Sequence, residues 1–600
     1  MIKKLDKKKK TGLIVGWSVF AAINIIIILI TVLVKSAFPT QPEKGTQIVA
    51  WSGDAVGKAF LFLFNRVYLD NFFKIPALLL GSLTFVGYMT MGRGLRQSVI
   101  GALKTIIGFL LLSIGSGTLI SLAEPVFRGI KNIGGAGVVP LDPYFALASS
   151  NNFFANAFKG NDYTSLISFT FILGYIINMI MVALKRWTNT NSLMITGHVM
   201  LQQSAVVTTI LYVILFRDFS LFQGTLSLGE QAGLVVISGI LLGAYWATAS
   251  TATTKGTNVV TQNAGFSIGH QQMLAIATSY KLGRFFGKKE DSAETKKLPS
   301  YLKIFEDNIF TQTVIVLILF LSLFAILLAV DHTTVIDGSF NKFIDAEELN
   351  PELAKSKGPI KYTLWNGSFG GANFVVNIFG GSLKIVAALI AIITGVRMFI
   401  TELQQSFHGI SEKIIPGAVV AVDVAAVYGF SINSVTFGFI SGVIGQFAGV
   451  GIVIALSFIP GQNFLFIAIP LFITLFFNSG SLGVYANASG GWKAALLLPG
   501  IIGFIEIIII SIATRAISNA TSSLGIISPV DSGFIGMADW NIFFGLLMWI
   551  SSYNTVVAWI LVVLAIFAML AMGMIVDNGS QTKPTFLQKV LKLKPTLVNS

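Results

Sequence analysis

From Phe310 to Val330 the chain runs without a charged side chain. Stretches of the same kind recur along its length, as in INIIIILITVLV at 23–34 and GILLGAYWATAS at 239–250. About 20 apolar residues is the length of a helix that crosses a bilayer, and in lipid the backbone must satisfy its own hydrogen bonds. Runs of this kind dictate an all-α polytopic membrane protein. Composition bears on the point once: charged residues make up 11% of the 600, against roughly 25% in an ordinary soluble domain. No long polar stretch is left from which to build such a domain.

The formal net charge of +14 does not imply a nucleic-acid partner, because of where the basic residues lie. They collect in short segments between the apolar runs: KKLDKKKK at 3–10, LGRFFGKKEDSAETKKLPSYLK at 282–303, and the tail from Asp577. Positive-inside topology places Lys and Arg in such segments on the cytoplasmic face, so both termini are expected there. The first apolar run is ~23 residues, longer than the 7–15 of a signal-peptide core, and Lys35 interrupts the small-residue cleavage pattern. It reads as an uncleaved anchor helix. The absence of cysteine excludes disulfides, thiolate metal sites and a cysteine phospho-carrier within this chain.

After the anchor, spans are expected near 74–91, 101–121, 164–184, 193–216, 231–250 and 309–330. A second group is expected near 380–400, 411–430, 432–458, 495–516 and 545–574. Residues 463–490 are apolar and then become FFNSGSLGVYANASGGW, too rich in Gly and Ser for a plain span. Counted as a re-entrant hairpin, this segment leaves an even number of crossings. The polar loop 331–371 then falls outside the cell. Residues 87–107 (GYMTMGRGLRQSVIGALKTII) also align without gaps with 395–415 (GVRMFITELQQSFHGISEKII), sharing Gly87/Gly395, Leu95/Leu403, Gln97/Gln405 and Ser98/Ser406 among others. The alignment implies two five-helix repeats joined by the helix near 309–330. The span count runs the first helix of both halves in the same direction, whereas an inverted repeat needs one span or hairpin counted differently.

Polar groups at membrane depth are rare and commonly line a ligand path. GFSIGHQQ at 265–272 places Ser267, His270, Gln271 and Gln272 among apolar neighbours, and TGHVMLQQ places His198 four residues before Gln202, on one helix face. Each is a candidate for substrate contact, beside the plainer alternative of a packed polar side chain bonded to a carbonyl. Asp423, the only carboxylate in PGAVVAVDVAAVYGF, is open to two roles, accepting substrate hydroxyls or cycling a proton. Glu506 in GFIEIIII is its competitor. Trp492 offers a flat face to a ring or sugar, or an interfacial anchor. His332 and His408, in an outer loop and at a helix end, carry no such expectation. Phosphate loops, zinc-spaced ligands and nucleophile elbows are absent, so no cofactor and no metal is expected.

GFSIGHQQ, TGHVMLQQ and IIPGAVVAVDVAAVYGF together resemble the ascorbate-specific IIC permeases of the bacterial phosphoenolpyruvate-dependent phosphotransferase system. KTIIGFLLLSIGSGTL, GVRMFITELQQSFHGIS, GGWKAAL and GMADW extend the match in order over most of 74–574. The N-terminal anchor with residues 36–73 and the loop 331–371 depart from the family pattern. The resemblance implies inverted five-helix repeats and a homodimer in the bacterial cell membrane, with scaffold and substrate-binding core interleaved over 74–575. Residues 1–73 would then be a basic segment, anchor and linker, and 576–600 a cytoplasmic tail. It further implies an elevator-type motion of the core and L-ascorbate contacts at His198, Gln202, His270, Gln271, Asp423 and Trp492. Phosphate would come from separate cytoplasmic IIB and IIA proteins, so the chain would be a transport subunit and not an enzyme by itself. The residues alone leave two rivals: a proton-coupled secondary transporter of a related polyhydroxylated substrate, and a sensor that binds without transport.

Overall fold

Short strands that each lead directly into a helix organise the larger part of the chain. In the computed structural model the described residues are 7–33, 75–134, 137–158, 160–216, 225–296, 374–415, 418–471, 473–522, 528–579 and 581–597, with isolated positions at 59–67 and 313–322. The span expected near 309–330, the loop 331–371, most of the linker before residue 75, and His332 lie outside them. Among the described residues, eight helices are long and apolar enough to cross a membrane. The segment expected to be an anchor is helical over Lys7–Leu33, and its apolar part, Ile14–Ile30, is shorter than those eight.

The strands are β1 (Val138–Leu141), β2 (Ser192–Met194), β3 (Phe266–Ile268), β4 (Val419–Val422) and β5 (Ile467–Pro470). β1 pairs with β5, and β2 and β3 flank β4, every pair parallel. Helix Gly197–Leu211, continued by a π-helical turn at Tyr212–Phe216, follows β2, and helix Met273–Gly283 follows β3. β4 leads into a 3-10 turn, Val424–Phe430, capped by the Asp423 side chain through Ala425 N–H at 2.9 Å. Parallel pairing of this kind aligns the strand ends, so the residues that follow β2, β3 and β4 emerge side by side.

The β4 assignment corrects one expectation. The segment 411–430 is not a span: the helix Phe374–Ile414 ends and the chain continues as a strand. A short apolar run gives no period that separates a strand from a buried helix, and the β-branched VVAV favours the strand.

The reversal expected within 463–490 falls instead at Gly491, inside the long helical stretch Ser479–Ser522. Helix Ile432–Ser457 meets both of its arms through glycines. A Cβ on Gly438 would lie 2.8 Å from Gly483 Cα, one on Gly445 2.7 Å from Gly500 Cα, and one on Gly449 3.0 Å from Ile507 Cβ. The arm before Gly491 thus runs antiparallel to this helix and the arm after it runs parallel. Close approach through small residues is how helices associate where lipid supplies no hydrophobic drive.

A smaller compact unit holds the described residues within Met1–Leu111, Tyr163–Ser168 and Thr394–Pro416. Within it the two aligned stretches meet. Tyr88 donates to Glu402 Oε2 at 2.6 Å, Lys104 reaches Glu402 Oε1 at 3.0 Å, and Arg93 donates to Gln405 at 2.9 Å.

Candidate functional site

The sheet β2–β4–β3 brings five of the six candidate side chains to one place. Its registry is extended past the strands by Ile195 N–H to Ala421 O at 3.3 Å and Gly269 N–H to Val422 O at 2.8 Å. Thr196 Oγ1 closes the end by donating to Gly269 O at 2.5 Å. Ser267 is satisfied within the same sheet by Ser192, 2.5 Å away, so it is structural.

Beyond this edge His198 Nε2 lies 3.2 Å from Asp423 Oδ2, with both side chains partly open to the surroundings. A carboxylate has no hydrogen to give, so the ring nitrogen is the donor. Gln271 Nε2 donates to Gln202 Oε1 at 2.6 Å. Gln271 Oε1 is buried and unpartnered, an acceptor with nothing to accept from. Such an orphan is costly in an apolar surrounding, and a polyhydroxylated ligand is the kind of molecule that satisfies it.

The second glutamine of each pair has another task. Gln203 accepts from Trp246 Nε1 at 2.5 Å and donates to the His270 carbonyl at 3.4 Å. Gln272 faces His270 Nδ1 at 2.6 Å. In each motif the first glutamine belongs to a face-to-face pair while the second holds the backbone or ring of His270. His270 itself is 5% exposed and stacks on Phe477.

Trp492 does not join these residues. Its indole N–H donates to Asp291 Oδ2 at 2.7 Å, and its ring neighbours are Lys296, Lys493 and Phe437. The bond from Lys296, then that from Trp492, holds the exposed Asp291 carboxyl below the usual aspartate range. Trp492 thus fastens the loop 291–296 to the reversal at Gly491, a role that an aromatic beside a Gly-Gly pair does not reveal in the sequence.

The sequence also gave no warning of Asp539. Its carboxylate accepts from Leu274 N–H and Ala275 N–H, both at 2.8 Å, and from Tyr245 OH at 2.6 Å. It caps, from a distant segment, the helix that presents His270–Gln272. The only signal was its place in GMADW. Glu506 stands apart with amide partners, Gln446 at 2.6 Å and Asn478 at 2.9 Å. Among the described residues no group of three His, Cys, Asp or Glu is placed to hold a metal.

A multi-pass helical membrane protein with a partly buried cluster of His, Gln and Asp at aligned strand ends has the make-up of a solute permease. The sequence pattern of the family described as "PTS system sugar-specific permease component" matches residues 71–543. The chain is also 55% identical, over 100% of its own length and 99% of the other's, to a Mycoplasma pneumoniae protein named "Ascorbate-specific PTS system EIIC component". The chain belongs to the sugar-specific permease (IIC) family of the phosphotransferase system, and is a transport subunit rather than a catalytic enzyme.

Proposed function

We propose that this chain binds L-ascorbate and carries it across a bacterial cell membrane by an elevator-type motion, coupled to phosphorylation by a separate cytoplasmic IIB protein that IIA recharges. The observation that carries the reading is the convergence of His198, Gln202, His270, Gln271 and Asp423 beyond one sheet edge. L-ascorbate is a flat enediol monoanion with a hydroxylated side chain. Amide and imidazole groups suit its oxygens, and Asp423 suits its hydroxyls. The name of the Mycoplasma relative supports the same substrate.

In this reading the transport body is 74–575, working as a homodimer, with both termini cytoplasmic. The absence of cysteine makes the phosphoryl donor a partner protein. Reconstituted vesicles test it: uptake of labelled ascorbate should require IIB, IIA and phosphoenolpyruvate and deliver phosphorylated product. The buried Glu506 favours one rival, proton coupling. Uptake that proceeds without IIB and collapses with the proton gradient would establish that rival instead.

A further inference from the structure

We infer that Gln272 is a positioning residue that fixes the tautomer of His270, so that His270 Nε2 accepts a hydroxyl hydrogen from the substrate rather than donating to it. The part that concerns substrate rests on the ascorbate reading above; the tautomer does not.

The assignment follows from donors and acceptors alone. Gln272 Nε2 lies 2.8 Å from Phe477 O and 2.9 Å from Ser481 Oγ. A backbone carbonyl can only accept, and Ser481 already gives its own hydrogen to Asn478 O at 2.9 Å. Phe477 O, which also accepts from Tyr428 OH at 3.0 Å, has no hydrogen to offer in return, so of the two ends of the amide only the NH2 group can face this pair. The Gln272 side chain therefore has one orientation. Turned over, its oxygen would face two acceptors.

That orientation leaves Gln272 Oε1 as the atom 2.6 Å from His270 Nδ1. A carbonyl oxygen cannot donate, so Nδ1 carries the hydrogen. In a neutral imidazole the other nitrogen then holds a lone pair. The stack on Phe477, with centroids 6.0 Å apart and planes at 19°, fixes the plane of the ring, and turning it over within that plane would set a carbon in place of Nδ1 and lose the bond to Gln272. Among the described residues nothing bonds to Nε2, whose ring lies in the cluster with Asp423 and His198.

The consequence is a division of the site. His270 reads a hydroxyl, and the donors for an enolate oxygen come from elsewhere. Gln202 is suited to this, since Gln271 occupies its oxygen and leaves its NH2 group available.

The test uses full-length protein labelled with 15N-histidine at pH 8, where four histidines keep the spectrum simple and H270N assigns the signal. The expected result is a protonated Nδ1 and an unprotonated Nε2 on His270 without ligand, with Nε2 still unprotonated but shifted when ascorbate is added. In Q272L the two tautomers should mix. A derivative lacking the read hydroxyl should bind the unaltered protein about three- to tenfold more weakly than ascorbate does, and that gap should close in Q272L. An unprotonated Nδ1 in the unaltered protein would overturn the role of Gln272, whether or not Q272L folds. Protonation of Nε2 on ligand binding would overturn the acceptor role. If ascorbate does not bind, the substrate reading fails, while the unliganded spectrum still decides the tautomer.

Discussion

His198 and Asp423 meet at 3.2 Å because the strands before them are paired: β2 carries the chain to His198, and β4, hydrogen-bonded beside it, ends at Asp423. The contact therefore depends on strand register as well as on the two side chains. A one-residue slip would turn the side chains to the opposite face.

D423N keeps an oxygen to cap Ala425 N–H but removes the charge and sets an NH2 group against the donor on His198. Hydrogen bonds to a charged group are worth about 1.5–3 kcal/mol. Ascorbate affinity should fall about 10- to 100-fold, measured by anaerobic calorimetry, with little loss of thermal stability. Unchanged affinity would remove Asp423 from the site.

The paired glutamines should separate in experiment. Q271A removes the orphan acceptor but leaves Gln202 Oε1 without its donor, one buried orphan exchanged for another, so it should weaken binding by about 1 kcal/mol or more while leaving the melting temperature nearly unchanged. Q203L strands the buried Trp246 N–H and should cost about 1–3 kcal/mol of stability. Equal effects of the two variants on stability would contradict this division of roles.

The class of protein was legible in the sequence, and so were the five polar side chains that the structure brings together beyond one sheet edge, because charge-free runs and polar groups inside them are local signals. What was illegible is long-range. VVAVDV reads as part of an oily span until β2 and β3 are found on either side of it. Trp492 reads as a stacking platform until Asp291 takes its N–H. Asp539 works on a helix that begins at Met273, and no spacing along the chain foretells a cap supplied from another segment. Which glutamine of each pair faces its counterpart is also set by the packing of Trp246 and Phe477.

D539A should show how far that distant cap matters. It leaves two helix N–H groups buried without an acceptor and the Tyr245 hydroxyl with only the Gln271 carbonyl, 3.5 Å away. At about 1–3 kcal/mol for each stranded group, the detergent-solubilised protein should melt several degrees lower. Ascorbate binding should weaken as well, since the capped helix follows His270–Gln272 directly. D539N, which keeps one acceptor oxygen, should be intermediate.

The Asp291–Trp492 bond gives a pH dependence of defined sign. The pKa of Asp291 is depressed in the fold, first by Lys296 and then by Trp492. Its contribution is therefore fully present above the ordinary aspartate pKa near 4 and is lost as pH falls through the lower folded value. The Trp492 emission, isolated as the difference from W492F, should hold steady down to about pH 4 and change only below it. K296A should move that midpoint up. A transition near neutral pH would rule out Asp291 as its source.

Gly491 is the residue on which the reversal of the long helix turns. Its φ of +70° and ψ of −167° lie in a region that is essentially closed to residues with a Cβ. A Cβ there would also overlap the carbonyl oxygens of Lys288 and Asp291, at and just before the start of the loop that Trp492 fastens. G491A therefore combines backbone strain of about 1–3 kcal/mol with a steric clash that only displacement of the loop relieves. Folded yield should drop sharply, and protein that does fold should show a W492F difference spectrum with Trp492 released from Asp291. G490A makes a useful comparison: it too would meet backbone, at Gly283, but without a positive φ. The loop should move in G491A and the end of the helix Met273–Gly283 in G490A, while the loss of yield should be much larger for G491A. If G491A matched G490A in yield, strain at the reversal would not be what holds the two arms in place.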